Sequence, residues 1–344
     1  MQQMKVLALA GSPVDHFRAD LSRVYARGFL DVVGRLAGYR IEVAFVSPDG
    51  SWRFTTGLDE ADIAAAQPVS FADAVGYIEA RRYDLMVPQM FCLPGMTTYR
   101  ALFDLLGVPH LGNRADVMAL TADKHLARAV VAAAGVAVPD GQVVRAGDTY
   151  LGELPVVVKP SDSDNSMGVS LVRSRSVLRD AIEEALLYSE SALVETYIPL
   201  GREVRCGIIV RDGELVCLPL EEYAVDEVDH PIRARADKLE RSDDGDLYLV
   251  AKESTKAWIV DVDDPITEVV WEAARRCHLA LGCRHYSLFD FRIDPDGAPW
   301  FLEAGLYCSY SSSSVVAVMA SVAGLSVDEL FAIGLREVDR EKGR

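Results

Sequence analysis

The chain has 344 residues, of which 50% are apolar and 25% charged, the ordinary balance of a soluble globular protein. One hydrophobic core rarely serves this length, so two or three packed α/β subdomains are expected. The net charge of −17 repels phosphate backbones and anionic lipid surfaces, which argues against nucleic acid and membranes as partners. The six cysteines lack the paired spacing of zinc or redox sites, and no apolar run is long enough to span a bilayer, so we predict a cytoplasmic protein.

The first third of the chain alternates strand and helix patterns. Val6 to Ala10 is a short apolar run that ends at a Gly-Ser-Pro turn, and residues 19–36 then show helical apolar spacing. The later elements are strands at 41–46, 84–88 and 108–110 and helices at 71–81 and 98–106. This alternation predicts a parallel sheet in an α/β unit that ends near Gly112.

The rest of the chain predicts a second compact unit and then a region of hairpins. The second unit contains a helix at 116–134, strands at 155–160, 169–172 and 192–195, and a helix at 176–188. From Glu203 the pattern changes to hairpins, a helix at 266–281 and two strands, 286–293 and 299–304. A long polar stretch at 228–264 interrupts this region, and long loops of that kind often cover active sites.

Lys159 ends the valine-rich strand, where an isolated charge is costly to bury without an anionic partner. The polar loop after it, Ser163 to Gly168, offers hydroxyls and backbone N–H groups to phosphate oxygens. For Lys159 alone, a surface lysine beside a hairpin is the better interpretation. The lysine and the loop together indicate a phosphate site.

Acidic residues in the second half of the chain suggest contacts with metal ions and with a nucleotide. Asp290 and Glu303 are embedded in apolar segments of two neighbouring predicted strands, where a pair of Mg²⁺ ions bridging them to nucleotide phosphates would relieve their repulsion. Separate surface ion pairs on opposite faces are an equally open interpretation. Glu195 and Glu203 flank a linker where adenine could lie, with Glu203 accepting from ribose hydroxyls. Lys124, taken alone, indicates an exposed helix residue.

In chain order these segments resemble the ATP-grasp fold, and D-alanine-D-alanine ligases in particular, over nearly the whole chain. Residues 119–124 (ALTADK) are similar to that family's helix with an ATP-binding lysine, and residues 134–139 (AGVAVP) to its AGIPVP-like stretch. Residues 166–169 resemble its serine-containing flexible loop, and residues 194–198 its adenine hinge. The resemblance implies three subdomains: an N-terminal substrate domain at 1–113, a central ATP-grasp subdomain at 114–195 and a C-terminal catalytic subdomain at 196–344. Nucleotide would bind between the central and C-terminal subdomains.

The resemblance also implies a site that uses ATP and Mg²⁺. The implied nucleotide contacts are Lys124, Lys159, Ser163, Ser166, Met167, Glu195, Thr196, Ile198, Glu203 and Lys238. Asp290 and Glu303 fall on the family's metal-binding positions. Arg292, Lys238 and Ser166 are the catalytic candidates, with Arg292 stabilising an oxyanion. ATP would phosphorylate an oxygen of one substrate, and a bound amine would displace the phosphate through a tetrahedral intermediate.

Around the substrate the sequence departs from D-alanine-D-alanine ligases. Their HGxxGE-type loop is replaced by the apolar segment Met90 to Thr98, and their N-terminal His-Glu dipeptide appears only as Asp15-His16. Their third metal ligand, an asparagine, aligns with Gly305, so water or another residue must complete the coordination. These departures argue against dimerisation of D-alanine. The predicted substrate contacts are Asp15, His16, Met90, Phe91, Pro94, Gly305, Ser311 and Ser314.

Residues 90–98, 288–293 and 301–306 look closer to the ligases that complete mycosporine-like amino acids by joining an amino acid to mycosporine-glycine. There ATP activates the oxygen of a cyclohexenone, and the amine of serine, threonine or alanine replaces it as an imine. A flat, largely apolar ring suits the apolar segment at 90–98. The serines at 311–314 could bind the amino acid carboxylate, cap a helix, or do both.

Two other functions are alternatives to a ligase of the mycosporine type. One is a dipeptide ligase acting on D-alanine or another amino acid pair, which needs a carboxylate acceptor instead of a ring. The other is a nucleotide-binding regulator that kept the fold and lost turnover, which amino-acid-dependent phosphate release would exclude. The expected partners are small-molecule substrates, an amino acid and an acceptor, and family analogy implies a homodimer.

Overall fold

The computed structural model describes residues 3–163, 166–226, 228, 231–233, 239–241, 247–249 and 256–343, without the side chains of 239–241 and 247–249. The strands in these ranges form two four-stranded sheets, one six-stranded sheet and a separate hairpin. Three apolar clusters each belong mainly to one sheet, and a fourth is shared by the N-terminal and C-terminal sheets, as expected for packed α/β units.

The N-terminal sheet has the strand order β3-β2-β1-β4, in which β1 is parallel to both β2 and β4. Its strands are β1 (Met4–Gly11), β2 (Tyr39–Val46), β3 (Trp52–Thr55) and β4 (Leu85–Pro88). Its helices are α1 (His16–Val32), α2 (Glu60–Ala65), α3 (Phe71–Arg81), α4 (Leu93–Met96) and α5 (Thr98–Leu105). Val6 to Ala10 are fully buried because helices cover both faces of the sheet, which explains the unbroken apolar run. The predicted parallel sheet is confirmed, with an antiparallel edge strand, β3, that the sequence pattern did not reveal.

One sequence-based helix is wrong in a way that matters for the site. The single helix predicted for 116–134 is two helices, α6 (Ala115–Ala122) and α7 (Lys124–Ala133), which meet at Asp123. Asp123 has an extended backbone, and its side chain accepts hydrogen bonds from the N–H groups of His125 and Leu126, so it caps a new helix. Lys124 therefore stands at the first position of α7.

The central sheet is antiparallel, with the order β5-β8-β6-β7. It consists of β5 (Gly141–Val144), β6 (Val156–Pro160), β7 (Ser170–Val172) and β8 (Ala192–Thr196), and helix α8 (Arg175–Leu186) packs on one face. The alternating valines of β6 at 156 and 158 point into that core. Lys159, between them and the loop, therefore points to the opposite face.

The C-terminal sheet has the order β14-β11-β9-β15-β16, with β10 also paired to β9. Its strands are β9 (Arg202–Arg211), β10 (Glu214–Cys217), β11 (Glu221–Tyr223), β14 (Ala257–Ile259), β15 (Tyr286–Ile293) and β16 (Pro299–Ala304). The hairpin is β12 (Leu239–Arg241) with β13 (Leu247–Leu249), and the helices are α9 (Ile266–Leu281), α10 (Val315–Val322) and α11 (Val327–Lys342). Both strands predicted to carry the acidic residues are present and pair with each other.

Residues between the first and last sheets join them through buried polar contacts. The predicted strand at 108–110 is reduced to one bridge, between His110 and Met86. Arg284 donates to the carbonyl oxygen of Gly112 at 2.7 Å, and its backbone N–H donates to the Asn113 side chain at 2.7 Å. Burial, together with the nearby charge of Arg284, lowers the pKa of His110 to about 3, so this histidine is neutral at physiological pH.

Within the described ranges, no single helix is both long and apolar enough to cross a membrane. The helices α10 and α11 pass that test only as a pair, by length and composition, and the chain bends by 106° between them. None of the six cysteines, all of which lie in described segments, is in a disulfide.

The cap at Asp123 gives a stability prediction. Replacing Asp123 with Ala removes the acceptor of two backbone N–H groups and should lower the free energy of unfolding by about 1 kcal/mol. Urea unfolding followed by circular dichroism measures the change. Asp116→Ala is the matched control, because the Asp116 side chain accepts from its neighbour Val117 and otherwise forms an exposed ion pair with Arg114, and losing these contacts should cost much less. An equal loss in both variants would contradict the assignment of Asp123 as the cap.

Candidate active site

A cleft of about 810 Å³, partly open to solvent, lies between the central and C-terminal sheets. Its lining includes most residues singled out for nucleotide and metal binding: Lys124, Lys159, Ser163, Ser166, Glu195, Thr196, Ile198, Glu203, Asp290, Arg292 and Glu303. Met167, in the described part of the same loop, is half-buried outside this lining. Lys238 lies outside the described residues.

Lys159 is held in the cleft by a buried ion pair. Its Nζ lies 2.5 Å from Oε2 of Glu195 on the adjacent strand β8, and the other oxygen of Glu195 lies 3.5 Å from Nε of Arg128. The sequence indicated that a buried Lys159 needs an anionic group, and in the structure that group is Glu195. Removing one member of such a group leaves a buried charge without its counter-ion, which typically costs about 3–5 kcal/mol.

Lys124 joins three segments around the cleft. Its backbone N–H donates to the carbonyl oxygen of Ser161 at 2.8 Å, and its Nζ donates to the carbonyl oxygen of Ser163. The same Nζ lies 4.0 Å from Oε2 of Glu303 on β16. The break between α6 and α7 is what turns this lysine into the cleft, so it is not the exposed helix residue that the sequence alone indicated.

The polar loop after β6 contains two residues in the left-handed region of backbone conformation. Ser166 has φ of +55° and Gly168 has φ of +66°. A Cβ at Gly168 would lie 2.7 Å from the ring of Tyr188, so both the backbone angle and the close ring favour glycine. A serine in this conformation is uncommon and is typical of ligand-binding loops, in agreement with the predicted phosphate contact.

The hinge end of the cleft contains Glu203 and Arg292, which are direct partners in the β9–β15 ladder. Nη1 of Arg292 lies 3.1 Å from Oε2 of Glu203, and Nη2 donates to the Tyr197 hydroxyl at 2.9 Å. The Nε of Arg292 is buried and has no hydrogen-bond partner within the described part of the chain. Arg292 is thus fixed beside the predicted adenine and ribose contacts.

Asp290 and Glu303 face each other across β15 and β16, so their side chains lie on one face of the sheet. Both oxygens of Asp290 accept hydrogen bonds from Arg205 on β9, one of them at 2.8 Å from Nη2. Sequence reasoning missed Arg205. The alternation from Glu203 places it on the cleft face, but its pairing with Asp290 depends on a strand register that joins residues 85 positions apart.

The rings of Tyr25, Phe91 and Tyr307 form a cluster, here called the aromatic wall, and Tyr307 lines a small pocket with Lys124 and Glu303. The ring of Phe91 lies 4.7 Å from that of Tyr25 in α1 and 5.8 Å from that of Tyr307, which follows β16. Burial raises the pKa of Tyr25 to about 12, and the charge of Arg205 opposes part of that rise. A smaller cavity of about 360 Å³ adjoins the cleft at Lys124 and Glu303, and its lining is otherwise mostly apolar.

The remaining predicted substrate residues take different positions. Met90 is buried and packs against Gly95, where a Cβ would lie 2.3 Å from the Met90 Cβ, and Pro94 lies half-buried in α4. Asp15 caps α1 by accepting from the N–H of Arg18 at 2.7 Å, and His16 is exposed. Asp15 and His16 thus lie at the N-terminal end of α1, and neither residue is part of the cleft lining.

Ser311, Ser314 and Gly305 lie between the N-terminal and C-terminal units. Ser314 caps α10 by accepting from the N–H of Ala317 at 3.4 Å, so the helix-cap interpretation is confirmed for it. Ser311 packs so closely on α1 that a Cβ at Gly28 would lie 2.2 Å from its hydroxyl oxygen. A Cβ at Gly305 would lie 3.7 Å from the Tyr307 ring.

Comparison with known proteins identifies the class of the fold and then the family. The structure matches the VanG D-Ala:D-Ser ligase of Enterococcus faecalis with a TM-score of 0.77 and 22% identity, over 98% of this chain and 100% of that one. It matches the D-alanine-D-alanine ligase of Coxiella burnetii with a TM-score of 0.78 and 19% identity, over 100% and 96%. The fold is therefore that of the ATP-grasp ligases, as predicted. The family model "D-ala D-ala ligase C-terminus" matches residues 132–334, and the chain belongs to that family.

Relatives by sequence include the D-alanine--D-alanine ligase of Mycolicibacterium gilvum, 29% identical over 86% of both chains. The vancomycin B-type resistance protein VanB of Enterococcus faecalis is 30% identical over 73% of this chain and 72% of its own. The prediction of an ATP-grasp ligase that forms C–N bonds and releases ADP is confirmed at the level of the family. The subdomain boundaries and the roles of individual residues stay predictions.

The site predicts that two substitutions stop turnover. Lys159→Ala and Glu303→Gln should each lower the rate of amino-acid-dependent phosphate release by about 100-fold or more, because each removes a charge at the phosphate end of the cleft. Lys342→Ala and Glu272→Gln are matched surface controls on α11 and α9, and both should keep the wild-type rate. Near-normal rates in both cleft variants would contradict the site assignment.

Proposed function

We propose that the protein uses ATP and Mg²⁺ to phosphorylate an oxygen of a ring-shaped acceptor and then couples the activated carbon to the amine of a small amino acid. Mycosporine-glycine is the acceptor we propose. The observation that carries the proposal is the aromatic wall of Tyr25, Phe91 and Tyr307, in which Tyr307 lines a small pocket together with Lys124 and Glu303.

The cleft itself supports the nucleotide half of the proposal. Lys124, Lys159 and the serine-containing loop converge at one end, where they can bind phosphate oxygens. Arg292 presents a buried Nε without a hydrogen-bond partner in the described residues at the other end, where a nucleoside can supply an acceptor. An ATP molecule placed along the cleft would satisfy both ends.

The donor groups beside the phosphate end fit a divalent cation at Glu303. This carboxylate is partly exposed toward the cleft, and Asp290 stands opposite it. A bound Mg²⁺ would neutralise phosphate charge as it develops. Glu303 would hold that ion, while Lys124 and Lys159 would orient the phosphates from the opposite wall.

The acceptor half of the proposal depends on the chemistry of the wall. A D-alanine zwitterion needs hydrogen-bond partners for both its ammonium and its carboxylate, and burying either one without a partner is costly. Residues 90–98 offer no charged side chain, and Phe91 places a ring where such partners are needed. The Phe91 and Tyr307 rings meet at 82°, so a flat conjugated ring can instead lie face-on to one of them and edge-on to the other, which stabilises it by about 0.5–1.5 kcal/mol beyond its buried area.

The serines before α10 are the proposed site for the amino acid carboxylate. Ser311 and Ser313 share a hydrogen bond of 3.0 Å, and Ser314 already caps α10. The N-terminus of α10 adds backbone N–H groups and a positive helix dipole to these hydroxyls. The amine of a bound amino acid would then point back toward the acceptor.

A second candidate, a ligase that joins two amino acids, is favoured by the relatives. Their names include D-alanine--D-alanine ligases and a putative D-alanine--D-lactate ligase of Streptomyces coelicolor, 28% identical over 96% of this chain. Phosphate release that needs only amino acids would favour this candidate.

A cytoplasmic homodimer remains our prediction for the assembly, and light scattering of the purified protein tests its stoichiometry.

The first experiment is phosphate release with ATP and Mg²⁺ across a panel of amino acids, with and without mycosporine-glycine, followed by mass analysis. We expect release to require the ring compound and the product to absorb at longer wavelength, because an imine extends the conjugation of the ring. Release with amino acids alone and dipeptide products would replace the proposal with the second candidate.

A pair of ring substitutions tests the aromatic wall directly. Phe91→Ala should lower kcat/KM for the ring acceptor about tenfold while leaving KM for ATP unchanged. Phe54→Ala is the matched control, since it also removes one ring of a stacked pair in the N-terminal unit, with Tyr77 at 3.9 Å, but lies away from the cleft. If both variants affect the acceptor equally, the wall has no specific role.

A further inference from the structure

Four charged residues form one row across the C-terminal sheet. Glu221 on β11 is the direct partner of Arg205 on β9, Arg205 is the partner of Asp290 on β15, and Asp290 is the partner of Glu303 on β16. Directly opposed residues in a ladder point to the same face, so all four side chains lie on the cleft side. The row therefore contains one permanently charged cation, Arg205, which lies between the acidic residues Glu221 and Asp290.

Arg205 is bound tightly within this row. Its Nε and Nη2 donate to the two oxygens of Asp290, and its guanidinium lies 5.4 Å from the centre of the Tyr223 ring. Of the five N–H groups of the guanidinium, two bind Asp290, and the other three have no hydrogen-bond partner in the described residues.

This arrangement does not fit the pair of Mg²⁺ ions expected from the sequence. A guanidinium that occupies both oxygens of Asp290 repels a second cation at the same carboxylate. The third position of the expected ligand set is Gly305, which has no side chain, and the Tyr307 ring lies next to it. Among the described residues, no group of three or more acidic, histidine or cysteine side chains could hold a metal ion.

We propose that Arg205 takes the place of the second Mg²⁺, so that the enzyme works with one divalent cation, held at Glu303, and with a guanidinium that donates to the transferred phosphoryl group. This inference rests on the proposed use of ATP and is independent of the identity of the acceptor. Arg205 neutralises Asp290, and its remaining N–H groups are the donors for phosphoryl oxygens. Lys124 is the cation on the other side of Glu303, at 4.0 Å.

The test counts divalent cations in the full-length protein. Mn²⁺ bound per chain is measured by electron paramagnetic resonance at saturating concentrations of a non-hydrolysable ATP analogue, without amino acid or acceptor. We expect one ion in the wild type and two in Arg205→Met, because methionine keeps an apolar stem and releases the Asp290 carboxylate. Arg205→Lys retains the charge and should bind one ion.

Two variants make the comparison specific. Arg233→Met removes an arginine that lines the cleft and stacks 3.4 Å from the centre of the Tyr223 ring, which Arg205 also contacts, and it should leave the count at one. The double variant Arg205→Met with Asp290→Asn should return the count to one, because it removes the carboxylate that binds the extra ion. Circular dichroism tests whether each variant is folded. If Arg205→Met is not folded, the number of Mn²⁺ ions bound by the wild type decides whether the second ion is absent.

The outcomes separate the two proposals. Two ions in the wild type, or one ion in folded Arg205→Met, would overturn the role of Arg205 while leaving the ligase intact. Absence of any nucleotide-dependent ion would overturn both the inference and the proposed use of ATP. With the full reaction mixture, Arg205→Met should also lower kcat by about 100- to 1,000-fold.

Discussion

Strand β15 pairs with β9 over its whole length. It also pairs with β16 on both sides of a bulge that follows Asp290, and the geometry of the cleft depends on this register. Two successive rows on the cleft face form ion pairs of opposite polarity, Glu203 with Arg292 and Arg205 with Asp290. A slip of β15 by one residue would turn Asp290 and Arg292 to the opposite face, away from their partners on β9. The register therefore positions both ion pairs, and with them the side chains at both ends of the cleft.

The electrostatics of the cleft follow from these pairs. The protein carries a net charge of −17, so its overall field opposes a polyphosphate ligand. The cations that line the cleft are held by carboxylates, as Lys159 is by Glu195 and Arg292 by Glu203. Such pairing fixes the position of each cation before a ligand arrives, but it leaves little excess positive charge. A divalent cation is the natural source of that excess, which explains why Glu303 stands where the cleft is partly open.

Local patterns predicted much of this architecture. The strand with Lys159 and the two strands with Asp290 and Glu303 were evident because short apolar runs bounded by turn residues indicate strands. The short edge strand β3 was missed, since it has four residues and includes Arg53 and Thr55. The break at Asp123 was missed for a different reason: the apolar spacing continues through it, and only the capping contacts end one helix and begin the next.

The site was predictable where one segment carries the chemistry and not where two segments must meet. A lysine followed by a polar loop is a local signal, and it correctly marked the end of β6 as part of the cleft. Arg205 with Asp290, and Phe91 with Tyr25 and Tyr307, depend on strand register and on the packing of distant helices. Sequence spacing contains no direct record of such contacts. Lys238 and about half of the polar stretch at 228–264 lie outside the described residues.

The two halves of the cleft have different origins in the chain, and this division bears on specificity. The nucleotide half is built from β6, β8, β9 and β15, within the residues that match the family model. The acceptor half combines α1 and the segment at 90–98 with residues after β16, so it is closed by packing between the first and last parts of the chain. Relatives named as ligases of D-alanine, D-lactate and D-serine differ in their second substrate while sharing this fold. Under the function we propose, a change in the N-terminal wall would alter the acceptor without disturbing the ion pairs of the cleft, and the aromatic contact between Phe91 and Tyr307 would be such a change.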